Sequence, residues 1–193
     1  LLSLSSHITI HQRSSLHGTA SNLPASKSIS NRVLIINSLA PKPSLLHNLS
    51  DANDTRLMQR MIASTDDMID VEDAGTTMRF LTSYFSMTNQ KKVITGTTRM
   101  KERPIGILVN ALRSLGANIR YLGKEGYPPL AIDGFESQKT DTLRIRGDVS
   151  SQFISALMMV APALPAGLTL ELEGRIGSRP YIEMTASLMK HFG

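Results

Sequence analysis

The sequence predicts an α/β fold assembled from a repeated unit of strand, helix, strand, helix and a closing pair of strands. In some segments apolar residues alternate with polar ones and in others they recur every three or four positions, which are the periods of strands and helices. These segments follow the same order about three times, although the third unit lacks its strand pair. The 193 residues are 41% hydrophobic and 19% charged, which is typical of a globular protein with a sizeable core.

The first unit is predicted from short apolar segments around a helix. Alternation at residues 8–10 predicts a strand, and residues 16–23 predict a second crossing that Pro24 ends. A helix is expected to open at residues 26–28, with a buried face made of Ile29, Val33, Ile36 and Ala40. The unit then continues with a short strand at 45–49 and a helix after 50–54 that buries Leu57, Met58, Met61 and Ile62.

The second and third units follow the same order. The second has a strand at 68–71, a helix opened by 73–77 and ending near Met87, a strand at 92–95, a helix with Pro104 as its first residue, and strands at 118–122 and 130–133. The third has a strand at 142–146, a helix opened by 150–152, a strand at 168–172 and a helix that starts at 178–181. No linker or low-complexity tract divides the chain.

Composition excludes several kinds of site. The absence of Cys rules out disulfides, zinc–thiolate sites and a thiol nucleophile, and the five His residues lack metal-ligand spacing. The net charge of +5 favours acidic partners, but only 5% of residues are aromatic, which argues against a surface that stacks nucleic-acid bases. The longest apolar run has 12 residues, whereas a membrane span needs about 20. We therefore expect a cytoplasmic protein and, since it begins with Leu1, a piece of a longer one.

The stretch LPASKSISNR at residues 23–32 contains the first candidate site. The first N–H groups of a helix have no partner within the helix and carry the positive end of its dipole, so they attract anions. Lys27 and Ser28 lie at this helix start, and Arg32 follows one turn later. A serine-capped helix with two solvated basic residues explains the same pattern, so both interpretations stay open at this point.

Four further helix starts combine small, hydroxyl or amide residues with a nearby basic residue. They are Gly75-Thr76-Thr77 before Arg79, residues 101–103 before Pro104, Ser150-Ser151-Gln152 after Arg144 and Arg146, and Ser178-Arg179 before Tyr181. If the repeated topology brings these starts to one edge, their basic residues would form a strongly positive cleft. Each close opposite charge contributes about 4 kcal/mol at an effective dielectric near 20 before desolvation, so such a cleft favours a ligand with several negative charges. Nucleotide-binding and hydrolase motifs are absent from the sequence.

Six blocks of the sequence, taken in order, carry a specific resemblance. They are LPASKSISNR (23–32), DAGTTMRF (73–80), RMKERPIG (99–106), YPPL (127–130), GDVSSQFISAL (147–157) and SRPYIEMT (178–185). On these blocks the chain resembles the 5-enolpyruvylshikimate-3-phosphate synthase family, also called 3-phosphoshikimate 1-carboxyvinyltransferases. The resemblance implies a two-lobed enzyme with three βαβαββ units per lobe and substrates bound between the lobes. It implies that residues 1–193 form most of the N-terminal lobe, with 1–15 in the hinge or the other lobe, and that the C-terminal lobe is absent.

The resemblance also implies a reaction. Members of the family transfer the carboxyvinyl group of phosphoenolpyruvate to the 5-hydroxyl of shikimate 3-phosphate and release phosphate, within the shikimate pathway of aromatic amino acid biosynthesis. The implied chemistry is addition followed by elimination, with no metal or organic cofactor, no nucleic-acid or membrane partner, and a monomer when the protein is full length. Because the other lobe supplies carboxylate acid/base groups in the family, we expect this chain alone to be inactive.

The family's site residues map onto this sequence individually. Lys27 would be the catalytic residue, since it would contact both substrates and assist proton transfer. The residues implied to bind shikimate 3-phosphate are Lys27, Ser28, Arg32, Ser150, Ser151, Gln152, Ser178 and Tyr181. Those implied to bind phosphoenolpyruvate are Lys27, Gly75, Arg79, Arg103 and Gln152.

Three positions depart from the family pattern. Ala25 stands where the family often has Gly, Asp73 replaces a common Asn, and Phe80 replaces a common Pro. The Asp73 carboxylate would either turn away from the anion site or be held by Arg79.

Two rival functions remain. The first rival is an enolpyruvyl transferase acting on UDP-N-acetylglucosamine, which the missing reactive Cys disfavours. The second is a basic RNA-binding or RNA-processing module.

Overall fold

Seven α-helices and six strands make up the part of the chain that the computed structural model describes, which is residues 8–9, 11–12, 14–15, 17–19 and 21–193. The helices are α1 Lys27–Leu39, α2 Asn53–Ala63, α3 Gly75–Met87, α4 Thr98–Lys101, α5 Gly106–Leu115, α6 Ser151–Val160 and α7 Arg179–Phe192. The strands are β1 Met68–Asp70, β2 Lys92–Thr95, β3 Ala117–Tyr121, β4 Leu130–Phe135, β5 Thr142–Arg146 and β6 Thr169–Glu173. The predicted α/β class is confirmed.

The second unit has the complete predicted order. Its four strands form one sheet in the order β1-β2-β4-β3, in which β1 and β2 are parallel and the other neighbours antiparallel. Helix α3 connects the two parallel strands, as a crossover between parallel strands requires. Helix α5 ends at Gly116, which has a φ of 120° and therefore adopts a left-handed conformation that few other residues tolerate.

The third unit contains only its first four elements, as the sequence predicted. Strands β5 and β6 are parallel, with Thr142 opposite Thr169 and Arg146 opposite Glu173, and α6 connects them. A short 3-10 turn at Ala161–Ala163 follows α6, because Pro162 cannot continue the α-helical hydrogen bonds. Helix α7 then completes the strand, helix, strand, helix order.

The strands predicted for the first unit are wrong wherever the structure describes them. Residues 45–49 form no strand, and neither do the described residues within 8–10 and 16–23. Ile10, Leu16 and Ala20 lie outside the described residues. Ile8, Leu23 and Leu45 are 90%, 77% and 81% exposed, whereas Leu46 and Leu49 are partly buried against the core without forming a strand. Apolar alternation produces a strand only where a partner strand and a core are available.

The first helices of the three units, α1, α3 and α6, contact one another and form the centre of the molecule. Helix α3 is buried on almost every side, and Phe80 and Phe85 are fully enclosed. The expected apolar face of α1 is wrong in part, because Ile29 is 42% exposed whereas Asn31 and Arg32 are buried. A buried polar side chain needs hydrogen-bond partners, so this helix face is not the purely apolar surface that was expected.

One local prediction near Pro104 is corrected, and one helix there was not predicted. Pro104 is not the first residue of a helix, because α5 begins at Gly106 with Ile105 as its N-cap. The unpredicted four-residue helix α4 precedes this proline, and the Thr97 hydroxyl caps it by accepting a hydrogen bond from the N–H of Met100.

No helix in the described part of the chain combines the length and the apolar character that a bilayer crossing requires.

Candidate functional site

The N-terminal ends of α1, α3 and α6 border one hollow of about 440 Å³. Because the three helices pack side by side in the centre, their first turns lie near each other although they are far apart in sequence. The residues that line the hollow are Lys27, Ser28, Arg32, Thr76, Arg79, Arg103, Ser150, Ser151, Gln152 and Tyr181. Nine of these ten were expected from the sequence, and Thr76 is the addition.

Helix α1 contributes the exposed cation of the hollow. The Ser26 side chain caps the helix by accepting a hydrogen bond from the N–H of Ile29 at 3.4 Å. Lys27 is the next residue, and its Nζ lies 3.2 Å from Oδ2 of Asp54, which belongs to the first turn of α2. This ion pair joins two helices and limits the directions in which the Lys27 ammonium points.

Arg32 lies one turn further along α1 and is only 2% exposed. Its Nη1 donates to the carbonyl oxygen of Ser28 at 2.9 Å, and its guanidinium carbon lies 5.4 Å from the ring centre of Phe80 and 5.7 Å from that of Tyr181. Burial lowers the pKa of Arg32 from its ordinary value, and the neighbouring Tyr181 partly opposes this effect. The arginine is therefore a largely dehydrated cation at the wall of the hollow.

Arg79 is a second buried arginine, on the second turn of α3. Its Nη1 donates to the carbonyl oxygen of Gly75 at 2.8 Å, and its Nη2 donates to that of Pro104 at 3.3 Å. Burial, together with repulsion from the neighbouring Arg103, lowers the pKa of Arg79 to about 10. Since this value is well above 7, Arg79 carries its full charge at neutral pH.

Arg103 lies against the first residue of α3. A Cβ atom at Gly75 would be 2.5 Å from Cζ of Arg103, so the guanidinium can occupy its position only because residue 75 is a glycine. Nη1 of Arg103 donates to the carbonyl oxygen of Asp73 at 3.4 Å. Gly75 itself does not line the hollow, and its contribution is the space that it leaves for Arg103.

The Asp73 carboxylate does not compete for the cations of the hollow. It accepts a hydrogen bond from the Thr97 hydroxyl, the N-cap of α4, and Arg79 donates to two carbonyl groups instead. Of the two expected arrangements, the one in which Asp73 turns away from the site is therefore observed. The Asp73 carboxylate thus has its own hydrogen-bond partner, Thr97, which is not among the residues that line the hollow.

The third unit supplies hydroxyl and amide groups. Ser150 caps α6 by accepting a hydrogen bond from the N–H of Gln152 at 3.4 Å, and Nε2 of Gln152 donates to the Thr76 hydroxyl at 3.0 Å. This last bond joins α6 to α3 across the hollow. Thr76 could have been found from the sequence, because it directly follows Gly75 in the motif that opens α3.

Tyr181 and Ser178 occupy different positions relative to the hollow. Tyr181 lines it, is 45% exposed and covers one face of Arg32. Ser178 is the N-cap of α7 but is not among the lining residues, and its side chain makes no capping hydrogen bond. Its φ of 50° places it in the left-handed region, which is strained for a residue with a Cβ atom.

The charges of the hollow are unbalanced. Among the described residues, Arg32, Arg79 and Arg103 form no ion pair with a carboxylate, and Lys27 alone of the four cations has an acidic partner. Unpaired buried cations are costly, so their persistence in a cluster points to an anionic ligand. Hydroxyl groups and helix N-termini around them add neutral donors suited to phosphate or carboxylate oxygens.

Comparison with known proteins gives a consistent result. The model of a family described as EPSP synthase (3-phosphoshikimate 1-carboxyvinyltransferase) matches residues 10–64 and 57–193. A curated protein of Bacteroides fragilis (strain YCH46), named 3-phosphoshikimate 1-carboxyvinyltransferase, is 54% identical over 171 residues, which cover 89% of this chain and 42% of that protein. A protein of the same name from Ralstonia pickettii is 38% identical over an aligned length of 213 residues, and the alignment covers 97% of this chain and 49% of the relative.

Solved structures agree on the fold. The EPSP synthase from Acinetobacter baumannii superposes with a TM-score of 0.70 at 19% sequence identity, covering 83% of this chain and 41% of that one. This chain thus spans less than half the length of the relatives it matches. The comparisons favour the EPSP synthase family over the two rival interpretations, a transferase acting on UDP-N-acetylglucosamine and an RNA-binding or RNA-processing module.

Proposed function

The chain belongs to the EPSP synthase (3-phosphoshikimate 1-carboxyvinyltransferase) family, and on that premise we propose that its hollow binds shikimate 3-phosphate and phosphoenolpyruvate for carboxyvinyl transfer. The observation that carries the proposal is the convergence of Arg32, Arg79 and Arg103, none paired with a carboxylate in the described part of the chain, on one hollow beside Lys27. Each proposed substrate has a phosphate and a carboxylate. Bringing two such molecules into contact requires several fixed cations.

The proposed reaction balances without a cofactor. The 5-hydroxyl of shikimate 3-phosphate loses its proton as its oxygen bonds to C2 of phosphoenolpyruvate, and C3 gains a proton as the C2–C3 double bond becomes single. The bond between C2 and the phosphate oxygen then breaks, C3 loses a proton as the double bond re-forms, and the enol ether and inorganic phosphate leave. Lys27 would lie beside both substrates, and its ammonium, held by Asp54 at 3.2 Å, could exchange a proton with the reacting atoms.

The site residues form two overlapping groups, one for each substrate. Gln152, oriented by Thr76, would reach both substrates. The residues proposed for shikimate 3-phosphate are Lys27, Ser28, Arg32, Ser150, Ser151, Gln152 and Tyr181, which line the hollow, together with Ser178, which lies outside its lining at the start of α7. Those proposed for phosphoenolpyruvate are Lys27, Arg79, Arg103 and Gln152, which line the hollow, together with Gly75, which would act through the space that it leaves for Arg103.

The chain alone would be inactive in this proposal. None of the ten residues that line the hollow in the described structure is acidic, so these residues supply no carboxylate as a general acid or base. The acid/base carboxylates would come from the rest of the protein, since this chain covers 42% of its Bacteroides fragilis relative. A monomeric state, a cytoplasmic location and the absence of a nucleic-acid partner are parts of the same proposal.

Calorimetric titration of the 193-residue chain tests the binding step. We expect shikimate 3-phosphate to bind to the wild type and to an Arg120→Met variant, because Arg120 pairs with Asp133 on the sheet, away from the hollow. We expect Arg103→Met, which removes the same charge, to weaken the binding of phosphoenolpyruvate in the presence of shikimate 3-phosphate. If Arg120→Met weakened the binding of phosphoenolpyruvate as much as Arg103→Met does, net charge alone would explain binding, and the proposal would be contradicted.

A chimera tests the chemistry. In it this chain replaces the aligned segment of the Bacteroides fragilis relative, and phosphate release is measured with both substrates. We expect release from the chimera and none from the 193-residue chain. A chimera that folds and binds both substrates without releasing phosphate would contradict the proposed reaction, and tight salt-dependent RNA binding in place of substrate binding would favour the RNA module.

A further inference from the structure

Two buried hydroxyl groups outside the hollow contact Arg32 from behind. They belong to Ser155 on α6 and Thr185 on α7, which are both 0% exposed. Nε of Arg32 donates to Oγ1 of Thr185 at 2.7 Å, and Nη2 donates to Oγ of Ser155 at 3.0 Å. Neither residue lines the hollow, so direct contact with a ligand does not account for them.

The hydrogen-bond directions in this group are fixed by the partners. The hydroxyl of Thr185 donates its proton to the carbonyl oxygen of Tyr181 at 2.8 Å. Ser155 and Thr185 lie 2.9 Å apart, so in that bond the Ser155 hydroxyl is the donor and Thr185 accepts. Both hydroxyl protons therefore point away from Arg32, and the oxygen lone pairs face the guanidinium.

This arrangement orients the guanidinium without neutralising it. The aromatic faces of Phe80 and Tyr181 restrict its plane, whereas the two hydroxyls restrict rotation within that plane. A carboxylate in their place would form an ion pair that an anionic ligand would have to break. Of the five N–H donors of an arginine, three are used by Thr185, Ser155 and the Ser28 carbonyl, which leaves one on each terminal nitrogen.

We propose that Thr185 and Ser155 are positioning residues that hold the Arg32 guanidinium, still charged and with two donors unused, at the wall of the hollow for the anionic substrate. The inference rests on the proposed function for the identity of the ligand, shikimate 3-phosphate. The orientation of Arg32 by the two hydroxyls is a separate claim that needs no ligand. The two claims can therefore be measured independently.

The test uses the 193-residue chain and substitutions that preserve shape. Thr185→Val removes the hydroxyl, Thr185→Ser keeps it, and Ser155→Ala removes the second hydroxyl and serves if the valine variant does not fold. Thr82→Val is the matched control, because Thr82 is also 0% exposed but its hydroxyl donates within α3 to the carbonyl of Met78. Each variant is titrated with shikimate 3-phosphate by calorimetry, and the Arg32 Nε–H signal is followed by NMR.

We expect Thr185→Val and Ser155→Ala to weaken binding about tenfold, the order expected for a misplaced charged hydrogen bond. Thr185→Ser and Thr82→Val should bind within about threefold of the wild type. The Arg32 Nε–H signal should shift and exchange faster with water in Thr185→Val, and it should be retained in Thr185→Ser and Thr82→Val.

An unchanged affinity together with an unchanged Nε–H signal in Thr185→Val would overturn the inference. Equal losses of affinity in Thr185→Val and Thr82→Val would also overturn it, since they would show a general effect of core damage. If the wild type binds no shikimate 3-phosphate, the proposed function fails, and the NMR signal alone then decides whether the hydroxyls orient Arg32.

Discussion

Replacing Arg32 by Met should separate the binding role of this arginine from any role in stability. Arg32 is 2% exposed and has no carboxylate partner among the described residues. Its three hydrogen bonds contribute about 1.5–3 kcal/mol each because the donor is charged, but dehydrating the charge costs several kcal/mol. Methionine has a similar length and fills the path of the arginine stem.

The substitution leaves few polar groups without a partner. Ser155 and Thr185 still bond to each other and Thr185 to the Tyr181 carbonyl, while the Ser28 carbonyl keeps its place in the α1 hydrogen-bond ladder. We therefore expect the free energy of unfolding to change by less than about 2 kcal/mol in either direction. Affinity for shikimate 3-phosphate should fall about 10- to 150-fold, which corresponds to the loss of one charged hydrogen-bonding partner.

Urea unfolding followed by circular dichroism gives the stability, and calorimetric titration gives the affinity. Arg120→Met serves as the control for lost charge, because Arg120 is exposed and paired with Asp133. A loss of more than about 4 kcal/mol of stability, with wild-type affinity in the protein that remains folded, would refute the reasoning. Arg32 would then be a structural cation and the unpaired charge would not be evidence of a ligand.

Three further outcomes follow from the geometry of the hollow. Gly75→Ala should displace the Arg103 guanidinium, because the new Cβ would lie 2.5 Å from its Cζ; phosphoenolpyruvate should bind about tenfold more weakly by calorimetry while stability stays within about 1 kcal/mol. Ser178→Gly should stabilise the chain by about 1 kcal/mol in urea unfolding, since the φ of 50° suits glycine, whereas Ser178→Ala should bring no such gain. Binding of phosphoenolpyruvate in the presence of shikimate 3-phosphate should strengthen as pH rises through about 6, where a phosphate monoester gains its second charge, and should weaken as pH approaches about 10, where the pKa of Arg79 lies. Affinity that falls between pH 5 and 7 would contradict this charge assignment.

The sequence alone identified most of the fold and most of the hollow, because the signals concerned are local. The strand at Thr142–Arg146 and the helix Gly75–Met87 were predicted from periodicity and from the residues that open them. The helix starts that carry Lys27, Gln152 and their neighbours were recognised in the same way. A cap or an alternating run acts within a few residues, so it is visible before the chain folds.

Tertiary structure decided what each local signal became. The segment 45–49 forms no strand, because a short apolar segment does not by itself supply a partner strand. The polar face of α1 is buried since Arg32 finds its hydroxyl partners 123 and 153 residues away, in Ser155 and Thr185. Such pairs form only when α1, α6 and α7 pack together, and no short-range pattern encodes the distance between them. The residues available to the hollow were therefore set by the sequence, whereas the unpaired charge and fixed orientation of Arg32 were set by helix packing.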